Sequence, residues 1–117
     1  MPGEYCPGEF SVNARGKTKL IGAAQRVVRG GWLLSTVVVV DSAPRVRAVL
    51  EDVYAKLGLE WDPATTGAVA NEKPGVSVED VRNAILAEYG RRTALTEKPL
   101  AAEELAAAKE LVGRYRV

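Results

Sequence analysis

The sequence predicts an α+β fold: a three-stranded antiparallel meander followed by helices. Three observations carry this. Strand-like runs through the first forty residues are joined by short Gly-containing turns. After Asp41 the apolar spacing changes to threes and fours. Helix-boundary signals then recur at Ser42, Gly58, Ser77 and Gly90.

The elements follow in order. Phe10 and Val12 alternate with Ser11 and Asn13, giving a first strand over residues 10–14. Arg15-Gly16 supplies a tight reversal, because glycine accepts the positive φ that short hairpins demand. A second strand runs from Lys19 to Arg29, and Gly30-Gly31 reverses the chain again. Trp32 to Val40 forms a third strand. Its end, Val37 to Val40, is apolar on both parities, which predicts a strand inside the sheet and covered on both faces. Ser42 as N-cap, Pro44 in the first turn and Gly58 as C-terminal cap bound a first helix. Val46, Val49, Leu50, Val53, Tyr54 and Leu57 form its apolar stripe. Residues 60–75, with Asp62-Pro63 and Lys73-Pro74-Gly75, read as loop or short irregular structure. A capping box of Ser77 with Asp80 opens a helix that Gly90 closes. A polar connection over 91–99 leads to an alanine- and glutamate-rich helix over 101–114. The expected organisation is one domain over 1–90, then a linker and C-terminal helix over 91–117.

Composition narrows the function classes. With 117 residues and 47% hydrophobic content, the chain has material for one packed domain. Sixteen basic and fifteen acidic side chains leave a formal charge of +1, so no strong field favours nucleic acid or an acidic membrane. The absence of histidine removes any Ser-His-Asp or Cys-His arrangement within the chain, and most zinc sites; no metal site is expected. One cysteine forms neither an internal disulfide nor a CxxC pair, which fits a reducing compartment. There is no basic-then-apolar signal pattern, and the apolar run from Trp32 to Val40 is far short of a membrane span. The expected location is cytoplasmic.

Chemistry concentrates in EYCPGEFSVNARGKTKLIGAAQR, residues 4–26. Cys6 lies between Tyr5 and Pro7-Gly8, a turn-forming context unlike the middle of a core strand, although a lone cysteine is ordinarily a small buried hydrophobe. Lys19 heads the second strand; an ordinary reading makes it a solvated edge lysine, as Lys17 is expected to be. A cation near a thiol stabilises a thiolate, and the same cation stabilises an oxyanion formed in acyl transfer. By simple alternation Lys19, Ile21, Ala23, Gln25 and Val27 share one face, and Leu20, Gly22, Ala24, Arg26 and Val28 the other. Gly22-Ala23-Ala24 gives up packing area in mid-strand, room that a linear acyl chain lying along the sheet would fill. Close packing of a helix on the sheet would use the same small residues.

Tyr5-Cys6-Pro7-Gly8, the strand and turn through Arg15-Gly16, and Lys19-Leu20-Ile21-Gly22-Ala23-Ala24-Gln25-Arg26 resemble the second half of the catalytic core of the biotin/lipoate ligase and octanoyltransferase superfamily. The nearest pattern is that of the lipoate-protein-ligase-like octanoyltransferases. The match is specific over residues 3–31, diffuse to about residue 90, and only generically helical beyond. The resemblance implies octanoyl or lipoyl transfer to a lysine of a lipoyl-carrier protein through a thioester at Cys6. Lys19 would hold the acyl carbonyl, and Gly22, Ala23, Ala24 and Gln25 would border the acyl group. It implies an acyl-carrier or lipoyl-carrier domain as partner and no tightly bound cofactor. An ATP-dependent ligase of the same superfamily is the alternative; there ATP and magnesium act, Cys6 is incidental and Lys19 binds an acyl-adenylate. A non-catalytic accessory subunit or truncated remnant is another. Family members carry a further half upstream, with a paired-arginine and glycine-rich segment. Gly30-Gly31 lies on the wrong side of the lysine strand to be that segment. The resemblance therefore also implies an open acyl trough, an unpaired strand edge and a companion chain supplying the missing half.

Overall fold

The computed structural model describes residues 1–115 and has an α+β fold. Strands β1 (Val12–Ala14), β2 (Thr18–Val28) and β3 (Gly31–Val38) form an antiparallel sheet in the order β1-β2-β3. Helices α1 (Ala43–Leu57), α2 (Val69–Glu72), α3 (Val78–Gly90) and α4 (Ala102–Leu111) follow. The chain divides within α3 into two compact units, Met1–Ala84 and a second from Ile85 onward.

Both hairpins form where the turn residues require them. Arg15 and Gly16 adopt left-handed φ values of 53° and 66° in the three-residue connection 15–17, where the Lys17 N–H bonds to the Ala14 carbonyl at 2.9 Å. Asn13 Oδ1 accepts from the Gly16 N–H at 2.8 Å. β2 and β3 then pair without interruption from Ile21↔Val38 to Val28↔Gly31.

Two strand expectations are corrected. β1 begins at Val12, not Phe10: the Ser11 N–H bonds back to the Gly8 carbonyl at 3.2 Å, so Phe10 lies in a turn and is exposed. β3 ends at Val38 and is an edge strand; β2 is the central one. Trp32, Leu33, Leu34 and Val37 are exposed, so the double-sided apolar run does not report burial on both faces. It reports a change of role, because Val39 and Val40 leave the strand and turn into the core. Their carbonyls accept the N–H groups of Val69 and Ala70 at 2.9 and 2.8 Å, which satisfies the otherwise orphaned start of α2. Val39, Ala43 and Ala68 form the packed centre, with Val46 against it.

Register also differs from simple alternation. Val12 pairs with Ile21, while the next residue, Asn13, pairs with Lys19. Leu20 is therefore the extra residue of a β-bulge, which reverses the parity of the strand at that point.

The helix boundaries agree in place but not wholly in mechanism. Gly58 caps α1 in the left-handed conformation, its N–H bonded to the Ala55 and Tyr54 carbonyls. Ser42 holds the N-cap position with φ 56°, yet its side chain makes no capping bond. At α3, Ser77 and Asp80 form the reciprocal box: the Ser77 N–H donates to Asp80 Oδ2 at 2.9 Å and the Asp80 N–H to Ser77 Oγ at 3.1 Å. The Ser77 hydroxyl, which also donates to Asp80 Oδ2 at 2.6 Å, and the Ser77 N–H hold the Asp80 carboxyl below its ordinary pKa. The last helix stops at Leu111, and Val112–Arg114 tightens into a 3₁₀ turn.

Candidate active site

The loop before β1 is built around Glu4, a residue that no pattern in the sequence marks out. Its side chain is fully enclosed. Oε1 accepts from Ser11 Oγ at 2.6 Å and from the Gly8 N–H at 3.1 Å. Lys19 Nζ lies 3.6 Å away. Burial alone pushes a carboxyl pKa upward, but the Ser11 and Gly8 hydrogen bonds and the Lys19 charge outweigh it, so Glu4 sits below its ordinary value.

Lys19 is not a solvated edge lysine. It is 1% exposed, whereas Lys17 is exposed as expected. Its ammonium donates to the Tyr5 carbonyl at 2.9 Å and to the Cys6 carbonyl at 2.7 Å, and it sits 4.8 Å above the Tyr5 ring. Two N–H groups of Nζ thus have carbonyl partners, and Glu4 at 3.6 Å is the counter-ion. Thr66 and Gly67 close the other side of the strand. Lys19 bridges Thr66 in parallel, and its carbonyl accepts the Gly67 N–H at 3.2 Å.

Cys6 is exposed and has φ 40°, a left-handed conformation uncommon for a residue with a side chain. Its N–H bonds to the Tyr54 hydroxyl oxygen at 2.6 Å, and the same hydroxyl lies 3.9 Å from Cys6 Sγ. Tyr54, on α1, is packed against Trp61 with ring centroids 5.1 Å apart, and Trp61 meets Tyr5 edge-on at 6.1 Å. Burial pushes the Tyr5 phenol pKa upward, with the neighbouring Cys6, Glu4 and Tyr54 charges adding to the effect. Helical spacing placed Tyr54 on the apolar stripe of α1. The available clue was that a buried tyrosine hydroxyl requires a partner.

Cys6 and Lys19 open on the same groove, of about 470 Å³, within the roughly 300–1,000 Å³ of small-ligand sites. Gly22, Ala23, Ala24 and Val37 line it along the sheet, and Phe10 lies on the loop side. The bulge at Leu20 makes this possible. It brings Lys19 onto the face of Gly22, where a side-chain carbon in place of the glycine hydrogen would lie 3.4 Å from Lys19 Cε. Lys19 is thus not aligned with Ile21, Ala23 and Gln25 as alternation predicted. Gln25 is exposed and does not line the groove.

Together these residues place an exposed thiol, a buried cation and a small-residue floor on one trough. Such a set is chemically competent to take a carbonyl attached to an apolar chain. No family model, curated protein or solved structure matches the chain. No helix is long and apolar enough to cross a membrane among the described residues.

Proposed function

We propose that this chain is part of an octanoyl- or lipoyl-transferring enzyme of the biotin/lipoate ligase-like type, acting through a thioester on Cys6. The observation that carries the reading is the common groove of Cys6, Lys19 and Gly22-Ala23-Ala24. The Cys6 thiolate attacks the thioester carbonyl of an acylated carrier domain, forming a carbon–sulfur bond. The carrier thiolate leaves, takes up a proton and departs, with the acyl group on Cys6. A lysine amine of the acceptor lipoyl domain then attacks, an amide forms, and the Cys6 sulfur is released. Lys19 stabilises the oxygen that becomes negative in each step, exchanging its bond to the Cys6 carbonyl for one to the acyl oxygen. The acyl tail lies along Gly22-Ala23-Ala24, with a companion polypeptide completing the trough and the sheet. The setting is a cytoplasmic one in which the thiol stays reduced.

A second reading has one observation in its favour: the Lys19 ammonium is already committed, bonded to the Tyr5 and Cys6 carbonyls and ion-paired with Glu4. On that reading Lys19 only shapes the loop, and the groove binds a carrier's acyl group without chemistry. Intact-mass measurement after exposure to octanoyl carrier protein separates the two, run with and without a polypeptide carrying the upstream half. Acyl transfer gives a mass increase of one octanoyl group that hydroxylamine removes and that is absent from Cys6→Ala. Carrier binding unchanged in Cys6→Ala, with no adduct in either arm, overturns it.

A further inference from the structure

Cys6 is held at both ends of its own peptide by side chains from distant elements. Lys19 of β2 takes its carbonyl at 2.7 Å, and Tyr54 of α1 takes its N–H at 2.6 Å. A left-handed φ at a cysteine costs energy and persists only where its surroundings over-determine it. Here two side chains, one cationic, do so. The Tyr54 hydroxyl uses an oxygen lone pair for the Cys6 N–H, which leaves its own hydrogen to donate. The acceptor within reach is Cys6 Sγ at 3.9 Å, a long contact for a neutral thiol. Tyr54 is only 8% exposed, so water has little access to compete for that hydrogen. A negative sulfur is a far better acceptor than a thiol, and such contacts shorten when the charged form appears.

We propose that Tyr54 is a positioning residue for Cys6: it fixes the peptide that aims the sulfur into the groove and donates its hydroxyl hydrogen to the thiolate. In a chain without histidine this gives the sulfur a neutral hydrogen-bond donor beside the Lys19 charge. The inference deepens the acyl-transfer reading and rests on it for its purpose, though not for its test.

The test is the rate at which iodoacetamide alkylates Cys6 as a function of pH. In that reaction the sulfur attacks the methylene carbon, a C–S bond forms, iodide leaves and the thiol proton goes to solvent. Tyr54→Phe keeps the ring packing against Trp61 and removes only the hydroxyl. The expected result is a midpoint moved to higher pH and alkylation about tenfold slower at pH 7, the effect of losing one hydrogen bond to a charged group. A Tyr54→Phe profile that overlies wild type overturns the proposal, including when the variant melts lower, because a purely structural hydroxyl would change stability alone. If Tyr54→Phe loses its far-ultraviolet circular dichroism, 3-fluorotyrosine in place of Tyr54 keeps the geometry and makes a stronger donor. The midpoint then moves to lower pH; an unchanged midpoint again overturns the idea. No carrier protein enters this assay, so the two readings fail separately. A Tyr54 effect without an octanoyl adduct removes the transferase, and an adduct without a Tyr54 effect removes the positioning role.

Discussion

At Lys19 and Glu4 two opposite charges are withdrawn from water within one loop, and the loop is organised by what they demand. Lys19 finds two carbonyls and a carboxylate; Glu4 finds a hydroxyl, a backbone N–H and the ammonium. Glu4 Oε2 has no hydrogen-bond partner among the described residues and faces the Met1 ammonium at 3.7 Å, so the carboxylate lies between two cations. Linkage fixes the sign of the pH response. A carboxylate whose folded pKa lies below its ordinary 4.5 contributes stability that is present above that value and lost as pH falls through the folded pKa. Glu4→Gln keeps an acceptor but removes the charge. At pH 7 it should be less stable than wild type by roughly 1–3 kcal/mol, the range for charge-assisted bonds. Urea midpoints at pH 7 and pH 3 check this. The gap should narrow at pH 3, below the ordinary 4.5, because there the unfolded chain gains a proton that the folded carboxylate resists; a gap of equal size at both pH values would show that the Glu4 charge does not hold the loop.

Among the elements, β2 carries most of what was legible and most of what was not. Its limits, both flanking turns and the antiparallel order follow from Gly16, Gly30 and the alternation of side chains. The capping box of Ser77 and Asp80 is likewise local chemistry, written in four consecutive residues. The bulge at Leu20 is not local. It arises where β1 ends its pairing on one side while Thr66 and Gly67 come alongside Lys19, and residues 47 positions apart leave no periodic trace. The motif singled out Cys6, Lys19 and the small residues, which line one groove, while their actual faces waited on tertiary structure. Glu4 and Tyr54 were missed for the same reason, since their partners meet only once the hairpin and α1 are in place. The approach of Gly67 to β2 is tight. A methyl group there would lie 2.7 Å from Thr18 Cβ and 3.1 Å from Leu20 Cδ2. Gly67→Ala should therefore push the 60s loop off the bulge and cost roughly 1–3 kcal/mol by overpacking. The thermal midpoint reads the cost. A variant as stable as wild type would mean that the loop yields freely and that the Lys19–Thr66 bridge is not what sets the bulge.

At the scale of the first compact unit, the notable quantity is how little of the sheet is covered. The packed centre lies at Val39, Ala43 and Ala68, where the end of β3, the start of α1 and the loop before α2 converge. Along the hairpin beyond it, Val27, Val28, Trp32, Leu33, Leu34 and Val37 are each about half exposed or more, from 46% to 72%. The outer edge of β3 has no strand beside it among the described residues. An apolar strand with an open edge offers both backbone hydrogen bonds and side chains to any other extended chain, its own copies included. These side chains contribute little to the folded chain by itself, so replacing them should change its stability by no more than about 0.5 kcal/mol. Their effect falls on association. Trp32→Lys combined with Leu34→Lys places two cations beside each other on one face of the edge strand and opposes strand addition by charge repulsion. Sedimentation velocity over a hundredfold concentration range should show wild type shifting to larger species and the double variant remaining at one sedimentation coefficient. Thermal midpoints should agree within a few degrees. A double variant that associates as wild type does would show that the β3 edge is not the adhesive surface, and one that unfolds would show that these residues are covered in solution.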